Sequence, residues 1–515
     1  MAVRDPEVRI ERLEAALRMA SRELQWANLT IQKKDAEIQL LVERLRKQRI
    51  GFLGPLSETL SDLQLQLLTE EEPSVTGEEV EAESRREPIA KAPARERKRH
   101  PGRKPLPENL PRVEEVIGCE ANCMHCGGET RVMGYDTSEV LDREPAKWFV
   151  RVTKREKRSC GKCFGIQMPP LTPRIVEKGL ASDRVVIETV VAKYCDHLPL
   201  YRQEAIIERE AGVEISRATL DGWVMRVGEL LLPVSEAMRA DLLRASYIQA
   251  DETVVPVQMH DNRGADHPAY LWQYGTLSSC GGGETVFDFQ MGRGRDGPRK
   301  FLKDWNGILQ TDGYQAYDQV GGPGLIHVGC WAHARRKFVD AVKVNPKDGA
   351  AVAMVTRMDA LFLVDREARE QQLNAEERAA LRREHAQAWV DEIHSECQKL
   401  RAHLLPKSAL GEAVNYTLNM WAKLRRCFEH AEVELSNNIA ENSMRPVALG
   451  RKNWLHVGSP ESGPKVAAIL SIVESCRRLA IPVKDYLLAV LPGMNNRTLP
   501  EVSLLTPARW KSARG

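Results

Sequence analysis

The chain has 515 residues, 43% of them hydrophobic, and a formal net charge of +2. This length predicts several domains, and so small a net charge argues neither for nor against a nucleic-acid partner. No apolar run approaches the roughly 20 residues that span a bilayer, and the charged N-terminus lacks the apolar core of a signal peptide. Eleven cysteines without a secretion signal favour metal ligands and free thiols over disulfides. We therefore expect a cytoplasmic protein with no membrane partner.

Residues 1–50 carry a heptad pattern. Apolar residues recur every seven positions, at Ile10, Leu17, Leu24, Ile31, Ile38 and Leu45. This spacing is typical of a coiled coil, which would make the protein a homo-oligomer through residues 10–45. Lys34 and several alanines at the second heptad position weaken the seam, so a single helix packed on its own protein is the alternative.

Residues 51–112 read as a charged linker that is acidic at first and basic towards its end. Between Arg85 and Lys104, nine Lys or Arg residues stand against two Glu. The sequence Gly-Arg-Lys-Pro at 102–105 could lie in the minor groove of A·T-rich DNA through Arg103 and Lys104. A solvated, disordered tether would have the same composition.

Residues 113–170 contain two Cys-x2-Cys knuckles. Their thiolates, which could bind one structural Zn²⁺ as a zinc ribbon, are Cys123, Cys126, Cys160 and Cys163. The segment between the knuckles, including Trp148–Val152, indicates a β-ribbon. Four unligated thiols are the alternative, and Cys119 and His125 are further candidate ligands.

Residues 171–243 change to helical periodicity. A helix is predicted after Pro199, a turn at Gly212 and a second helix capped by Ser216. This is the order of a helix-turn-helix, whose second helix would present Arg217, Thr219 and Arg226 to a DNA groove or to phosphates. A plain pair of antiparallel helices fits nearly as well.

Residues 244–344 indicate an α/β segment. Strands are predicted around Asp251, Leu271, Phe287, Asp312 and His327, with helices over Arg299–Trp305 and Trp331–Val344. Three hairpin-like strands, a helix, a strand, a helix and a strand are the order of a ribonuclease-H-like fold. In that fold the first and fourth strands are adjacent, so Asp251 and Asp312 would be neighbours. The overall fold class is thus multidomain α+β, ending in this α/β core.

The remaining chain is predicted to be helical. Residues 345–431 form a charged helical insertion, most simply a solvated scaffold, although its Lys and Arg residues could also meet DNA. Residues 432–480 would complete the α/β core with the helix of Glu441, which follows the capping sequence Ser-Asn-Asn at 436–438. Residues 481–515 are a C-terminal tail.

Two strand acids and one helix acid suggest a site for a hard cation. Asp251, Asp312 and Glu441 are of the type that binds Mg²⁺ (or Mn²⁺), and two such ions support in-line phosphoryl displacement. We prefer Asp251 to Glu252 because alternation along a strand turns the two side chains to opposite faces. Taken singly, each acid is more simply a turn residue or a helix N-terminal acid.

Basic residues lie near these acids in sequence and could grip the DNA backbone: Arg335, Arg336, Arg445, Arg451 and Lys452. Cys330 and His333 are two potential metal ligands, too few for a closed site. We expect a structural role for them, in local hydrogen bonding.

Several of these blocks together resemble the transposase of the insertion-sequence-66 family of bacterial mobile elements. They include Ala-Asp-Glu-Thr at 250–253, Thr-Asp-Gly-Tyr-Gln-Ala-Tyr at 311–317, Gly-Cys-Trp-Ala-His-Ala-Arg-Arg-Lys-Phe at 329–338 and Asn-Asn-Ile-Ala-Glu-Asn at 437–442. The resemblance implies a DDE enzyme with Asp251, Asp312 and Glu441 as its metal-binding catalytic triad. Such an enzyme cleaves at the element's ends and transfers the strand by 3′-hydroxyl attack on target DNA, with accessory proteins from the same element as possible partners.

Two other functions remain open at this point. One is a zinc-ribbon and helix-turn-helix regulator whose nuclease-like domain is inactive. The other is a nuclease that hydrolyses DNA but never joins it. The presence of all three acids favours the transposase.

Overall fold

The computed structural model describes residues 6–53, 148–151, 158–159, 166–167, 173–177, 179–259, 266–277 and 283–514. The chain divides into two compact units, one of residues 1–70 and 169–515 and one of residues 71–168. The larger unit is mostly helical and contains one mixed β-sheet. Within the described ranges, no helix is long and apolar enough to cross a membrane.

Helix α1 covers Pro6–Leu53. Its heptad residues from position 17 onwards are exposed, Leu17 by 73% and Leu45 by 66%. The C-terminal part of α1 contacts the rest of the larger unit, where Glu43 accepts a hydrogen bond from the Ala409 N–H at 2.8 Å. Within the described residues, the helix presents a row of apolar side chains that nothing covers.

The smaller unit contains a short antiparallel pair, β1 (Arg158–Ser159) and β2 (Ile166–Gln167). The pair brackets the second cysteine knuckle, although all four predicted zinc ligands lie outside the described residues. The strand predicted at Trp148–Val152 is not found in its described part, since Trp148–Arg151 belong to no regular element.

Three helices precede the sheet: α2 (Asp183–Tyr194), α3 (Leu200–Ala211) and α4 (Arg217–Leu242). The predicted boundaries are confirmed. Pro199 precedes α3, Gly212 takes a left-handed φ of 65°, and the Ser216 hydroxyl accepts the Thr219 N–H at the start of α4. Helix α4 is also a core helix, with Leu220, Val224 and several later residues fully buried.

The sheet has five strands: β3 (Tyr247–Val257), β4 (His267–Gly275), β5 (Thr285–Gln290), β6 (Ile308–Gln310) and β7 (Ile326–Val328). Their spatial order is β5-β4-β3-β6-β7. Strands β3, β4 and β5 are antiparallel, whereas β6 pairs in parallel with both β3 and β7. The prediction that the first and fourth strands are adjacent is confirmed.

Two connections differ from the prediction. Helix α5 covers Asp296–Leu302, earlier than the expected Arg299–Trp305, because the chain turns at Lys303 with a φ of 49°. Between β6 and β7 the helix expected from the fold order is reduced to one 3₁₀ turn, Gln315–Tyr317. A shorter connection of this kind still allows the parallel pairing of β6 with β7.

The sheet lies between two hydrophobic cores. Side chains alternate along a strand, so Ile248 and Leu309 belong to the first core and Tyr247 and Ile308 to the second. Helices α2 to α4 share the first core with the sheet. Residues 183–242 are thus packed on the sheet through common apolar contacts.

The helices that follow β7 are α6 (Trp331–Val344), α7 (Gly349–Glu370), α8 (Ala375–Leu381), α9 (Gln387–His403), α10 (Ala409–Asn419) and α11 (Trp421–Glu429). All of them except α8, which has no buried residue, contribute side chains to the second core. A π-helical segment, Arg382–Ala386, links α8 to α9. Helix α6 has the predicted bounds. The expectation that residues 345–431 are only a solvated scaffold is wrong, since Met354, Met358 and Leu361 are fully buried.

Five helices complete the chain: α12 (Asn438–Trp454), α13 (Ser462–Arg478), α14 (Val483–Val490), α15 (Leu499–Ser503) and α16 (Pro507–Ser512). Helix α13 lies against the edge strand β5, where Ser471 and Ser475 accept hydrogen bonds from the Phe287 and Thr285 N–H groups. Between α12 and α13, Val457 forms a parallel bridge with Val257 of β3. Both ends of α12 are therefore fixed relative to the sheet.

Candidate active site

The parallel pairing of β3 with β6 sets the relation between the two strand acids. Gln249 and Gln310 are register partners, and each acid follows its glutamine by two residues. Asp251 lies within β3. Asp312, predicted inside a strand, lies two residues beyond the end of β6. The strand ends there because the Asp312 carboxylate accepts the Tyr314 N–H at 2.8 Å and Gly313 takes a φ of 97°, which forms a tight turn.

The Asp251 carboxyl is in a crowded, largely buried position. Its pKa is raised to about 8, mainly by burial and then by the charges of Glu252, Asp312 and Glu441, in that order of effect. The Glu252 N–H donates a hydrogen bond to the Asp251 carboxyl, which opposes this rise. The three predicted acids thus lie close enough for the charges of Asp312 and Glu441 to act on Asp251.

Glu252, the acid next to Asp251, has a separate environment. Arg293 donates to its Oε1 through Nε at 3.0 Å and Nη2 at 2.6 Å, and the Tyr317 hydroxyl donates to its Oε2 at 2.9 Å. The Glu252 side chain is only 2% exposed. Its carboxylate oxygens are already bound within the protein, which agrees with the choice of Asp251 as the site residue.

Glu441 lies in the first turn of α12. Its Oε2 is 3.4 Å from Nη2 of Arg336, and its Oε1 is 3.5 Å from Nε2 of His333. Burial lowers the pKa of His333, and the charge of Glu441 opposes this effect. Among the residues that the structure describes, none donates a hydrogen bond to Oε1 of Glu441, which is buried. That oxygen has room in its coordination for a cation or a water molecule beside the His333 contact.

The predicted capping sequence before Glu441 acts differently from the expectation. Asn437 is the N-cap residue, but its side chain makes no capping hydrogen bond. Its backbone N–H instead donates to Sγ of Cys330 at 3.4 Å. Cys330 is fully buried, and burial raises the pKa of its thiol to about 12. Cys330 and His333 therefore both contact the beginning of α12.

Several residues that the sequence did not single out support the loop of Asp312. The Tyr416 hydroxyl donates to the Asp312 carbonyl at 2.6 Å. Nδ1–H of His327 donates to the Asp318 carboxylate at 3.0 Å, and burial lowers the pKa of His327 to about 4, so its ring is neutral. Nε2 of His327 therefore accepts the Thr311 hydroxyl at 2.9 Å, and the Thr311 oxygen accepts the Gly313 N–H. A buried polar chain thus fixes the turn, and no sequence motif would have identified it.

The predicted DNA-binding residues fall into two groups. Three of them have partners inside the protein: Arg335 pairs with Asp359, Arg336 contacts Glu441, and Arg451 donates to Thr253 of β3. Three others are exposed: Arg217, Arg445 and Lys452. Arg103 and Lys104 lie outside the described residues.

The exposed group includes a basic row on the helix that carries Glu441. Arg445 and Lys452 follow Glu441 by four and eleven residues, spacings that place all three on one side of a helix. Glu441 and the exposed Arg445 and Lys452 therefore share one face of α12.

The donor set fits a divalent cation of the Mg²⁺ type. The raised pKa of the crowded Asp251 carboxyl, and a buried Glu441 oxygen that accepts no hydrogen bond from the described residues, are features that a cation would relieve. In the part of the chain that the structure describes, no three His, Cys, Asp or Glu side chains come together as a metal-holding group. Mg²⁺ is commonly bound by only one or two protein carboxylates together with water and substrate phosphate.

Comparison with known proteins identifies the family. The profile described as "Transposase IS66 family" matches residues 178–465. Residues 120–163 match "zinc-finger binding domain of transposase IS66", and residues 40–114 match "Transposase C of IS166 homeodomain". The chain belongs to the IS66 transposase family, and it contains zinc-finger and DNA-binding regions characteristic of that family.

Similar proteins occur in Sinorhizobium fredii (strain NBRC 101917 / NGR234). Uncharacterized protein y4hP is 30% identical over 498 residues, which is 92% of this chain and 89% of that protein. Uncharacterized protein y4qI is 32% identical over 422 residues, 79% of this chain and 77% of that protein. The similarity to y4hP extends over nearly the whole of both chains.

Proposed function

We propose that this protein is a DDE-type DNA transposase of a bacterial insertion sequence, with Asp251, Asp312 and Glu441 as its catalytic triad. The observation that carries the proposal is the parallel register of β3 and β6, which brings Asp251 beside Asp312 while the charge of Glu441 acts on Asp251. The strand order β5-β4-β3-β6-β7 supports a ribonuclease-H-like catalytic core, formed by residues 244–344 and 432–480.

The triad would hold Mg²⁺ or Mn²⁺. Such ions, when bound, activate the attacking oxygen and stabilise the leaving oxygen of an in-line displacement at phosphorus. Asp251 would supply carboxylate oxygens from β3 and Asp312 from the turn that follows β6, and Glu441 would supply its Oε1, to which no described residue donates a hydrogen bond, from α12. Arg445 and Lys452 would bind backbone phosphates and align the scissile bond with the acids.

The reaction would proceed in two steps at the same site. Water would attack the phosphodiester at the element's end and expel the element's 3′-hydroxyl, which leaves a 5′-phosphate on the flanking strand. That 3′-hydroxyl would then attack a phosphodiester of target DNA, join the element to the target's 5′-phosphate and expel the target's own 3′-hydroxyl. Both steps are displacements at phosphorus, so one arrangement of acids and phosphate-binding cations serves both.

The remaining regions would deliver DNA to this site. Residues 113–170 would form a zinc ribbon held by Cys123, Cys126, Cys160 and Cys163, which agrees with the zinc-finger match at 120–163. Residues 171–243 would read DNA through the exposed Arg217 and Thr219 at the start of α4. Arg103 and Lys104 in the linker would add minor-groove contacts.

Helix α1 would join copies of the protein. Its exposed heptad residues, including Leu24, Ile31 and Ile38, form the apolar seam that a coiled coil requires. Deleting residues 1–38 keeps the contact of Glu43 with the larger unit and should lower the oligomer mass in light scattering. An unchanged mass would contradict this role.

A strand-transfer assay on an element-end oligonucleotide tests the proposed function. We expect joined products that require Mg²⁺ or Mn²⁺ and that are absent for Asp251→Asn. Hydrolysis without joined products would indicate a nuclease, and sequence-specific binding without cleavage would indicate a regulator with an inactive catalytic domain. Full activity of Asp251→Asn would exclude the triad.

A further inference from the structure

We propose that Tyr247, Gln249 and Gln310 are positioning residues that dock the Glu441 helix onto the two strands carrying Asp251 and Asp312. This inference rests on the proposed function, because it concerns how the third acid reaches its place. The three side chains form one buried hydrogen-bond network beneath the candidate triad.

The network lies in the sheet itself. Gln249 and Gln310 are register partners on β3 and β6, and both are at most 1% exposed. Tyr247 is fully buried and precedes Gln249 by two residues, so the two side chains leave β3 on the same face. Asp251 continues that alternation by another two residues. Each glutamine therefore precedes one of the two acids by two residues.

The three side chains are bonded to one another. The Tyr247 hydroxyl donates to Oε1 of Gln310 at 2.5 Å and accepts from Nε2 of Gln249 at 2.8 Å. Nε2 of Gln249 also lies 3.0 Å from Oε1 of Gln310. The hydroxyl thus links the glutamines of adjacent strands.

The same side chains bind the segment that leads into α12. Nε2 of Gln310 donates to the Glu434 carbonyl at 2.7 Å, and Nε2 of Gln249 donates to the Ser436 carbonyl at 3.0 Å. Nε2 of Gln310 also donates to the Gly329 carbonyl at 3.2 Å. Unpaired amides in a sheet core are costly, and here the amide donors of both glutamines reach backbone carbonyls.

A further hydrogen bond of Gln249 lies at the start of α12. The first N–H groups of a helix have no partner within the helix, and Asn437 makes no side-chain cap. The Ala440 N–H donates instead to Oε1 of Gln249 at 3.3 Å. Glu441 is the next residue. Gln249 therefore caps α12 from the sheet and fixes the turn that bears the third acid.

Matched substitutions test this role. Gln249→Met and Gln310→Met keep the side-chain length and remove the hydrogen bonds. Gln203→Met is the control, because Gln203 is also a buried glutamine (5% exposed) that donates to two backbone carbonyls, those of Thr189 in α2 and of Leu198 in the connection to α3. If a methionine variant does not fold, Tyr247→Phe removes only the hydroxyl at the centre of the network.

Two readouts apply to the full-length protein. Amide hydrogen exchange over residues 432–444 should become faster in the network variants and stay unchanged in Gln203→Met. Mn²⁺ affinity without DNA should fall about 10–100-fold in the network variants, the usual loss when groups that orient metal ligands are removed. Gln203→Met should keep the wild-type affinity.

The outcomes separate this inference from the proposed function. Unchanged exchange and unchanged Mn²⁺ affinity in folded network variants would overturn the positioning role, even if Asp251→Asn abolishes strand transfer. Wild-type Mn²⁺ affinity and strand transfer in Asp251→Asn would instead overturn the proposed function.

Discussion

Arg293 binds Glu252 through two guanidinium nitrogens, and both contact the same carboxylate oxygen. This pairing distinguishes two adjacent acids of similar chemistry on one strand. Glu252 is tied to Arg293 and to the Tyr317 hydroxyl, whereas the crowded Asp251 carboxyl accepts only the neighbouring backbone N–H. Glu252 therefore stabilises the fold, whereas Asp251 lies near the other members of the proposed triad.

Paired substitutions at these two positions should separate their roles. Asp251→Asn should abolish strand transfer with little loss of thermal stability, because it relieves the crowding of carboxylates. Glu252→Gln should lower the free energy of unfolding by about 1–3 kcal/mol, since it weakens charge-assisted hydrogen bonds, and should keep measurable strand transfer. The reverse pattern, with activity retained in Asp251→Asn and lost in a stable Glu252→Gln, would assign the role to Glu252.

Glu284 should make the stability depend on pH. Its side chain is buried and accepts the Ala508 N–H at 2.8 Å, which ties α16 to the sheet. Burial raises the pKa of Glu284 to about 7 from 4.5. The folded protein therefore binds the Glu284 proton more tightly than the unfolded chain does. Proton binding at Glu284 stabilises the fold fully below pH 4.5. As the pH rises towards 7, the free energy of unfolding falls by about 3 kcal/mol.

The comparison with Glu284→Gln isolates that effect. The variant keeps an acceptor for the Ala508 N–H but has no titratable proton. Chemical denaturation between pH 5 and pH 8 should show a smaller fall in the free energy of unfolding for Glu284→Gln than for the wild type. Equal slopes in the two proteins would show that Glu284 does not titrate in this range.

A buried ion pair should make the helical insertion sensitive to single substitutions. Arg382 is 2% exposed and binds Asp365, 1% exposed, at 2.6 Å, and it also donates to the Val433 carbonyl before α12. Arg382→Met leaves a buried carboxylate without its main partner and should cost about 3–5 kcal/mol of unfolding free energy. The exposed pair of Arg366 and Glu370 provides the control, because Arg366→Met should cost under about 1 kcal/mol. Similar small losses in both variants would contradict this account.

Zinc content tests the cysteine assignment. Cys160→Ser should lower the zinc bound to the purified protein and destabilise residues 115–170, because a tetrahedral site loses one of its four thiolates. Cys119→Ser is the matched control, since Cys119 lies outside the zinc-finger match at 120–163. Loss of zinc in Cys119→Ser, or no zinc in the wild type, would require a different ligand set.

Local patterns in the sequence predicted much of the fold. Helical periodicity gave the bounds of Trp331–Val344, and Ser216 marked the start of α4, because caps and apolar spacing act within a few residues. The adjacency of β3 and β6 followed from the order of elements. Periodicity did not show that Asp312 lies beyond its strand, since the end of β6 depends on the turn formed with Tyr314.

The contacts around the candidate site were less predictable. Arg451 counted as a DNA ligand in the sequence, but in the structure it donates to Thr253 of β3. Gln249 and Gln310 each follow an Ile or Leu residue and stand two residues before an acid, a repeated pattern that could have marked them. Their partners lie more than a hundred residues away in sequence, so only the folded chain identifies them. The sequence did not predict the buried face of residues 345–431, because charged residues dominate the composition of that segment.

Asp251, Asp312 and Glu441 are proposed to hold divalent metal ions for catalysis. Anomalous diffraction from crystals of the full-length protein grown with Mn²⁺ and an element-end oligonucleotide would locate these ions. We expect Mn²⁺ within coordination distance of carboxylate oxygens of Asp251 and Asp312, with Glu441 completing the site. Mn²⁺ bound elsewhere, with none at these carboxylates, would contradict this proposal.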